Sequence, residues 1–240
     1  MKYEPNSELK FTPIGRIKTS YKEKFGTPRQ AHLAPSSKGV IVLEKFVQPE
    51  QSLIDLEGFS HIWVLFYFHL NTNKSAKPKI HPPRLNGKTT GLFATRSPHR
   101  FNPIGMSVLK IEKIDGNKIH VSGVDLVDNT PILDIKPYIP GADSIPDAKS
   151  SWTENRPNQL LSVSFNDEVL QKIEDQRVKY PELKSMIKES IELDPRALCY
   201  KGSENRDQPY GNSYGFYLEE FNVIFQVEDN SAKVIDLESR

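Results

Sequence analysis

Through the first 140 residues the apolar positions alternate with polar ones or run together over strand lengths, and a helical period emerges only beyond residue 165. Gly39 to Phe46 (GVIVLEKF) is short and β-rich. Ile62 to Phe68 (IWVLFYF) is a continuous apolar run, which predicts a strand buried on both faces. Met106 to Ile114 and Lys118 to Val124 flank Asp115-Gly116-Asn117. Asp-Gly supports positive φ in a tight turn, so these two runs predict a hairpin. In its second arm Ile119, Val121 and Gly123 alternate with Lys118, His120 and Ser122. Pro131 to Ile135 follows as a further strand, with Leu133 and Ile135 on one face. Short strands with no helical period between them predict an antiparallel barrel or sandwich.

Pro140 to Pro157 is rich in Pro, Ser, Asp and Gly and reads as a linker. After it, Asn166 or Asp167 can cap a helix carrying Val169, Leu170 and Ile173. Pro181 suits a helix start, and Leu183, Met186, Ile187 and Ile191 recur at helical spacing. Phe221, Val223, Phe225 and Val227 then alternate with polar positions, and Val234 to Leu237 can pair with them. The expectation is a mainly β chain, with an N-terminal antiparallel unit over residues 1–145 and a small α+β unit over 158–240.

Composition changes this picture little. The 32 basic and 31 acidic residues nearly cancel. One cysteine, Cys199, leaves no intrachain disulfide and no multi-cysteine metal site, which fits a reducing cytosol. The N-terminus lacks the apolar core of a signal peptide, and no apolar run approaches the roughly 20 residues that span a bilayer. A soluble, cytoplasmic protein is expected. The distribution of charge says more. Asn71 to Lys110 holds eight cations and no acid: Lys74, Lys77, Lys79, Arg84, Lys88, Arg96, Arg100 and Lys110. The rest of the chain carries 24 basic and 31 acidic residues. Such a block is either a solvated loop or a surface for a phosphate backbone. The aromatic and proline residues within it, Pro82, Pro83, Phe93 and Phe101, favour the second.

Absences prune the chemistry. There is no phosphate loop or dinucleotide fingerprint, and the six histidines stand at no zinc-ligand spacing, so no metal site is expected. Ser97, His99 and Asp128 lack a nucleophile-elbow motif, which disfavours hydrolysis. The most informative stretch is Ala94-Thr95-Arg96-Ser97-Pro98-His99-Arg100-Phe101-Asn102-Pro103-Ile104-Gly105. Its prolines fix φ and interrupt any ladder, so it forms a rigid loop presenting guanidinium groups to an anionic or planar polar ligand. Taken alone, Thr27-Pro28-Arg29-Gln30 is a polar corner, His69 a rim histidine at the end of an apolar strand, and Asp125-Leu126-Val127-Asp128-Asn129-Thr130-Pro131 an Asx-type turn.

Together, in order and spacing from Ile14 to Ala142, these segments resemble the TrmO (TsaA-like) family of tRNA N6-methyltransferases; Gly58-Phe59-Ser60-His61, Phe68-His69 and Asp134-Ile135-Lys136-Pro137-Tyr138 add to the match. Asn129 stands where the family has glycine, and both tolerate left-handed φ. Asp194-Pro195-Arg196 and Gln208-Pro209-Tyr210-Gly211 extend the resemblance into the second unit. The resemblance implies a β-barrel binding S-adenosylmethionine, usually as a homodimer, that methylates N6-threonylcarbamoyladenosine in tRNA at position 37. Carried over by position, Pro28, Arg29, Gln30, Phe68, His69, Arg96, Leu126, Val127, Asp128, Asn129 and Thr130 would line the cofactor pocket, with His69 or Asp128 as the base. Lys74, Lys77, Lys79, Arg84, Lys88, Arg100 and Phe101 would grip the anticodon stem-loop. Two alternatives are a non-catalytic RNA-binding barrel and a small-molecule methyltransferase on the same scaffold.

Overall fold

The computed structural model describes residues 9–72, 76–82, 85, 88–154, 160–196 and 213–239. Lys74, Arg84, Cys199 and the Gln208–Gly211 segment lie outside the described residues.

Six strands close into a barrel: β1 (Gly15–Thr19), β2 (Lys38–Leu43), β3 (His61–Tyr67), β6 (Ile104–Asp115), β7 (Lys118–Ser122) and β8 (Thr130–Pro137). Their order is β1-β2-β7-β6-β3-β8, and every pair is antiparallel. Closure leaves no free edge, so strands this short are fully paired. A small ribbon, β4 (Lys79–Ile80) with β5 (Thr90–Gly91), stands beside the barrel. Between strands lie one-turn helices, α1 (Pro49–Ser52) and α2 (Pro140–Asp143).

Period-2 alternation explains the barrel core. Ile17, Ile41, Ile62, Val64, Phe66, Leu109, Ile119, Val121 and Ile132 point inward and are buried. The expected hairpin is present: β6 ends at Asp115, β7 begins at Lys118, and Gly116 takes φ +57°. Three expectations need correction. The apolar run in β3 is buried on one face only, with Ile62, Val64 and Phe66 inside and Tyr67 exposed. A barrel has a single interior, and the outward Trp63 gains only partial cover from Tyr138, 5.7 Å between ring centroids. In β8 the register against β3 shifts between Leu65 and Phe66, which skips Leu133 and turns Ile132 into the core. The Pro140 to Pro157 stretch includes α2 and a 3₁₀ turn at Ser151–Thr153, where Trp152 Nε1 donates to the Ala94 carbonyl at 3.1 Å.

The C-terminal unit holds α3 (Asp167–Asp175), α4 (Leu183–Glu192) and a sheet of β9 (Ser162–Phe165), β10 (Ser213–Leu218), β11 (Phe221–Glu228) and β12 (Ser231–Ser239), ordered β10-β11-β12-β9. β9 joins β12 in parallel. Val169, Ile173, Leu183, Met186, Ile187 and Ile191 face Phe221, Val223, Phe225 and Val227 in one core, while Leu170 is only half-buried. The two units are stitched together. Tyr21 leaves the end of β1, sits fully buried in the C-terminal core and bridges Leu218. Ser20 Oγ donates to Glu219, Tyr217 N to Glu23 at 2.9 Å, and the Ser36 N–H and hydroxyl to Glu189, the hydroxyl at 2.7 Å.

Candidate functional site

The loop after β1, the end of β3, the rigid loop before β6 and the turn between β7 and β8 converge at one end of the barrel, on an open cleft of about 2540 Å³ that continues along the outer faces of β3 and β6 as far as His61 and Lys110. This exceeds the roughly 300–1,000 Å³ of a typical single-ligand pocket.

Each segment is held by local chemistry. Ser37 is fully buried and joins two of them: its hydroxyl donates to the Val124 carbonyl at 2.8 Å and accepts from the Val124 N–H, while Gly123 N donates to the Ser37 carbonyl at 2.9 Å. The turn from Val127 to Thr130 closes through Thr130 Oγ1 donating to the Val127 carbonyl at 2.6 Å, with Asn129 at φ +62°, the left-handed conformation its position requires. Gly105 closes the wall. A Cβ there would stand 2.4 Å from the Phe66 ring and 2.8 Å from the Phe68 ring, so only glycine lets β6 lie against these aromatics. In the rigid loop, Arg100 donates to the Thr95 carbonyl at 2.8 Å, and His99 Nδ1 lies 2.9 Å from Asn71 Oδ1.

Of the expected cofactor residues, Pro28, Arg29, Gln30, Phe68, His69, Arg96, Leu126, Val127 and Thr130 line this one cleft. Asp128 and Asn129 do not. Asp128 faces the other way: Oδ1 accepts from the Thr19 N–H at 3.0 Å and Oδ2 lies 3.4 Å from Lys22 Nζ. The reason is the turn geometry, which directs its side chain back toward β1. Asp128 is therefore a brace for the turn, and its carboxylate does not reach the cleft as the base. Arg29 contacts the second unit, its guanidinium donating to the Asp194 carbonyl at 3.3 Å. Arg96 is exposed on the lining.

His69 meets the requirements of a base better. Burial, then the positive charges of Arg16 and Lys24, hold its pKa below the usual histidine value, so the ring is neutral. Its Nδ1 lies 3.4 Å from Thr130 Oγ1, whose proton is committed to the Val127 carbonyl. Nδ1 therefore acts as the donor, which leaves the Nε2 lone pair to accept a proton.

Among the residues expected to meet RNA, Lys77, Lys79 and Arg100 line the cleft, while Lys88 and Phe101 are exposed outside it. Phe101 stands 6.3 Å from Phe93, which is 81% exposed, and Arg100 lies over the Phe93 ring at 6.0 Å. Sequence reasoning singled out neither Asp125 nor Ser107 as site residues, yet both line the cleft. Burial pushes the Asp125 carboxyl up to about 6. Its signal was in the sequence, as the first acid of the strand-to-strand turn, but nothing there distinguished it from Asp128. No group of three or more His, Cys, Asp or Glu suited to a metal ion occurs among the described residues.

A closed antiparallel barrel with a cation-rimmed cleft at one end, braced by a separate α+β unit, defines a two-domain barrel protein whose site suits an anionic or zwitterionic ligand. Residues 16–144 match the family model of the tRNA-methyltransferase O N-terminal domain, and residues 158–240 match that of the TrmO C-terminal domain. The chain belongs to the TrmO family. It is 39% identical over 239 residues to the tRNA (adenine(37)-N6)-methyltransferase of Escherichia coli strain K12, covering 98% of this chain and 100% of that protein. A Pyrococcus abyssi protein named "Probable S-adenosyl-L-methionine-binding protein" is 37% identical over 150 residues, 62% of this chain and 79% of its own length. The crystal structure of TrmO from Pseudomonas aeruginosa superposes with a TM-score of 0.80 at 29% identity, covering 97% of this chain and 99% of that one.

Proposed function

We propose that this chain is an S-adenosylmethionine-dependent methyltransferase that acts on N6 of adenine 37 in tRNA, taking N6-threonylcarbamoyladenosine as its base. The observation that carries this reading is convergence. Family membership runs the length of the chain, and signature segments scattered from Pro28 to Thr130 line one cleft. Residues 1–145 carry the chemistry and residues 158–240 brace it.

The cleft fits the cofactor on its own terms. It offers an exposed guanidinium at Arg96, an apolar wall at Phe66 and Phe68 that Gly105 allows to stand close to the backbone, and a buried carboxylate at Asp125. When bound, S-adenosylmethionine supplies an electrophilic methyl group on a sulfonium. Arg96 holds the carboxylate of its methionine end, and Phe68 and Leu126 exclude water from the apolar part. His69 takes up the proton that the accepting nitrogen must lose. Lys77, Lys79 and Arg100 hold the anticodon stem-loop, with Phe93 and Phe101 offering faces for an unstacked base. The protein acts in the cytoplasm as a homodimer, in which a second copy would cover part of the exposed apolar surface that includes Tyr67 and Met106.

Calorimetric titration with S-adenosylmethionine, followed by methyl transfer to tRNA with and without the threonylcarbamoyl group, tests this directly. Cofactor binding together with a methylated nucleoside only in the modified tRNA supports it. Binding of tRNA with no cofactor affinity would instead mark a non-catalytic RNA-binding barrel. Cofactor turnover on small molecules with tRNA inert would overturn the substrate.

A further inference from the structure

Four carboxylates line the cleft among the described residues: Glu112, Asp125, Asp143 and Glu182. Three of them already serve a partner. Glu112 accepts from Lys110 at 3.0 Å and from Ser122, Asp143 accepts from the Ile139 N–H at 2.8 Å, and Glu182 accepts from Lys38 at 3.2 Å. Asp125 differs in one atom: the Ser107 hydroxyl and the Ala31 backbone engage its carboxyl, yet its Oδ1 is buried with no hydrogen-bond partner among the described residues. A buried acceptor without a donor costs roughly 1–3 kcal/mol. It persists where a ligand completes it, which makes Asp125 the carboxylate of this cleft that awaits a donor.

Its surroundings narrow the donor. Asp125 sits one residue before Leu126 on the lining, beside Ser107 and the Ala31 backbone, and close enough to Arg96 to feel its charge. An α-amino acid carries its ammonium and its carboxylate on one carbon. A protein that binds such a zwitterion therefore needs an anion and a cation side by side. Asp125 and Arg96 supply that pair, and neither forms a hydrogen-bonded ion pair with the other. An isolated ammonium buried here without a carboxylate would be penalised, and Asp125 removes that penalty.

We propose that Asp125 receives the α-ammonium of the methionine end of S-adenosylmethionine while Arg96 takes its carboxylate, the two forming a clamp for the amino-acid zwitterion. This rests on the S-adenosylmethionine reading above and adds the residue that recognises the amino group.

Three ligands separate the possibilities: S-adenosylmethionine, S-adenosylhomocysteine, which has the same amino-acid end without the sulfonium charge, and 5′-methylthioadenosine, which lacks the amino acid. Dissociation constants are measured for the full-length protein and for Asp125→Asn, with thermal melts as a folding control. The expected result is a roughly tenfold to hundredfold loss for the first two ligands alike, and no change for 5′-methylthioadenosine. A loss confined to S-adenosylmethionine would place the carboxylate at the sulfonium and overturn the clamp. Equal loss for all three would place it at the nucleoside and do the same. If Asp125→Asn does not fold, the unaltered protein is titrated with S-adenosylhomocysteine and its deamino analogue. Equal affinity for those two overturns the proposal, and a tenfold or greater preference for the amino form upholds it. Failure of the unaltered protein to bind any of the three defeats the cofactor reading itself, whereas normal binding with Asp125→Asn indistinguishable from it defeats the clamp alone.

Discussion

Asp125 and Asp128 stand three positions apart in one turn, and the fold gives them opposite tasks. Asp128 serves the backbone of β1 and the ammonium of Lys22, while Asp125 is buried against the cleft. Burial raises the Asp125 pKa from 3.8 to about 6 against the opposing pull of Ser107, the Ala31 backbone and the Arg96 charge; the buried Tyr21 hydroxyl also lies within its field. A carboxyl whose folded pKa is raised destabilises the fold above that pKa. The cost is fully present above about pH 6 and vanishes as pH falls below the unfolded value. Asp125→Asn is therefore expected to be more stable than the natural protein by about 1–3 kcal/mol at pH 7.5 and about equal to it near pH 4. Denaturant melts across that range check it, and a constant difference would show that the carboxyl is not strained by burial. Among the described residues, Arg96 forms no ion pair. Arg96→Ala should melt normally but lose roughly tenfold to hundredfold in S-adenosylmethionine affinity, a charge-assisted bond being worth about 1.5–3 kcal/mol. An unchanged dissociation constant would remove it from the pocket. At this scale the sequence was only half legible: the residue types of the turn were plain, but the direction in which each side chain points depends on the φ of Asn129 and on Thr19 across the barrel.

Among the elements, the hairpin of β6 and β7 and the alternation in β11 were readable because Gly116 and a strict period of two are local signals. The short strands β1, β4, β9 and β10 were not, since their pairing partners are distant in sequence and supply most of what makes them strands. The same limit hid the shift in β8, which moves Ile132 inward in place of Leu133, because a bulge is a property of two strands together. Gly105 shows the reverse. A glycine opening β6 looked like the end of a rigid loop, whereas its work is to let the strand pass 2.4 Å, in Cβ terms, from the Phe66 ring. Gly105→Ala must push Phe66 and Phe68 out of the packed end of the barrel. A loss of about 1–3 kcal/mol in stability is expected, together with weaker cofactor binding through the displaced wall. Chemical denaturation and calorimetry on the one variant check both, and a neutral result in each would mean the rings yield freely.

The whole molecule couples its two units through the segment that carries Pro28, Arg29 and Gln30. From Ser20 to Ser36 this loop is bound to the C-terminal unit by Ser20, Tyr21, Glu23, Arg29 and Ser36, and to the cleft turn by the adjacent Ser37. The second unit thus braces the cleft wall that carries Pro28, Arg29 and Gln30, a role that no local pattern could disclose. Glu189→Ala removes the acceptor of both Ser36 donors and is expected to lower S-adenosylmethionine affinity severalfold with little change in tRNA affinity. Equal weakening of both ligands would point to general unfolding instead.

Charge is organised on the same scale. The acid-free block from Asn71 to Lys110 was legible from counting alone, and its described members Lys77 and Lys79 lie on the cleft rim at the small ribbon, with Lys88 exposed nearby. Cations gathered in an otherwise acidic chain attract a polyanion through released counterions, and each lost phosphate contact flattens the salt dependence by about 0.7–0.9. Replacing Lys77, Lys79 and Lys88 with Ala is therefore expected to weaken tRNA binding, flatten its log–log salt slope by up to about 2–3, and leave S-adenosylmethionine affinity intact. Binding measured between low and physiological salt decides the matter. An unchanged slope would reduce the block to a solvated loop. Parallel loss of cofactor affinity would mean that these lysines shape the pocket itself, and the division of the cleft into a cofactor end and an RNA rim would then fail.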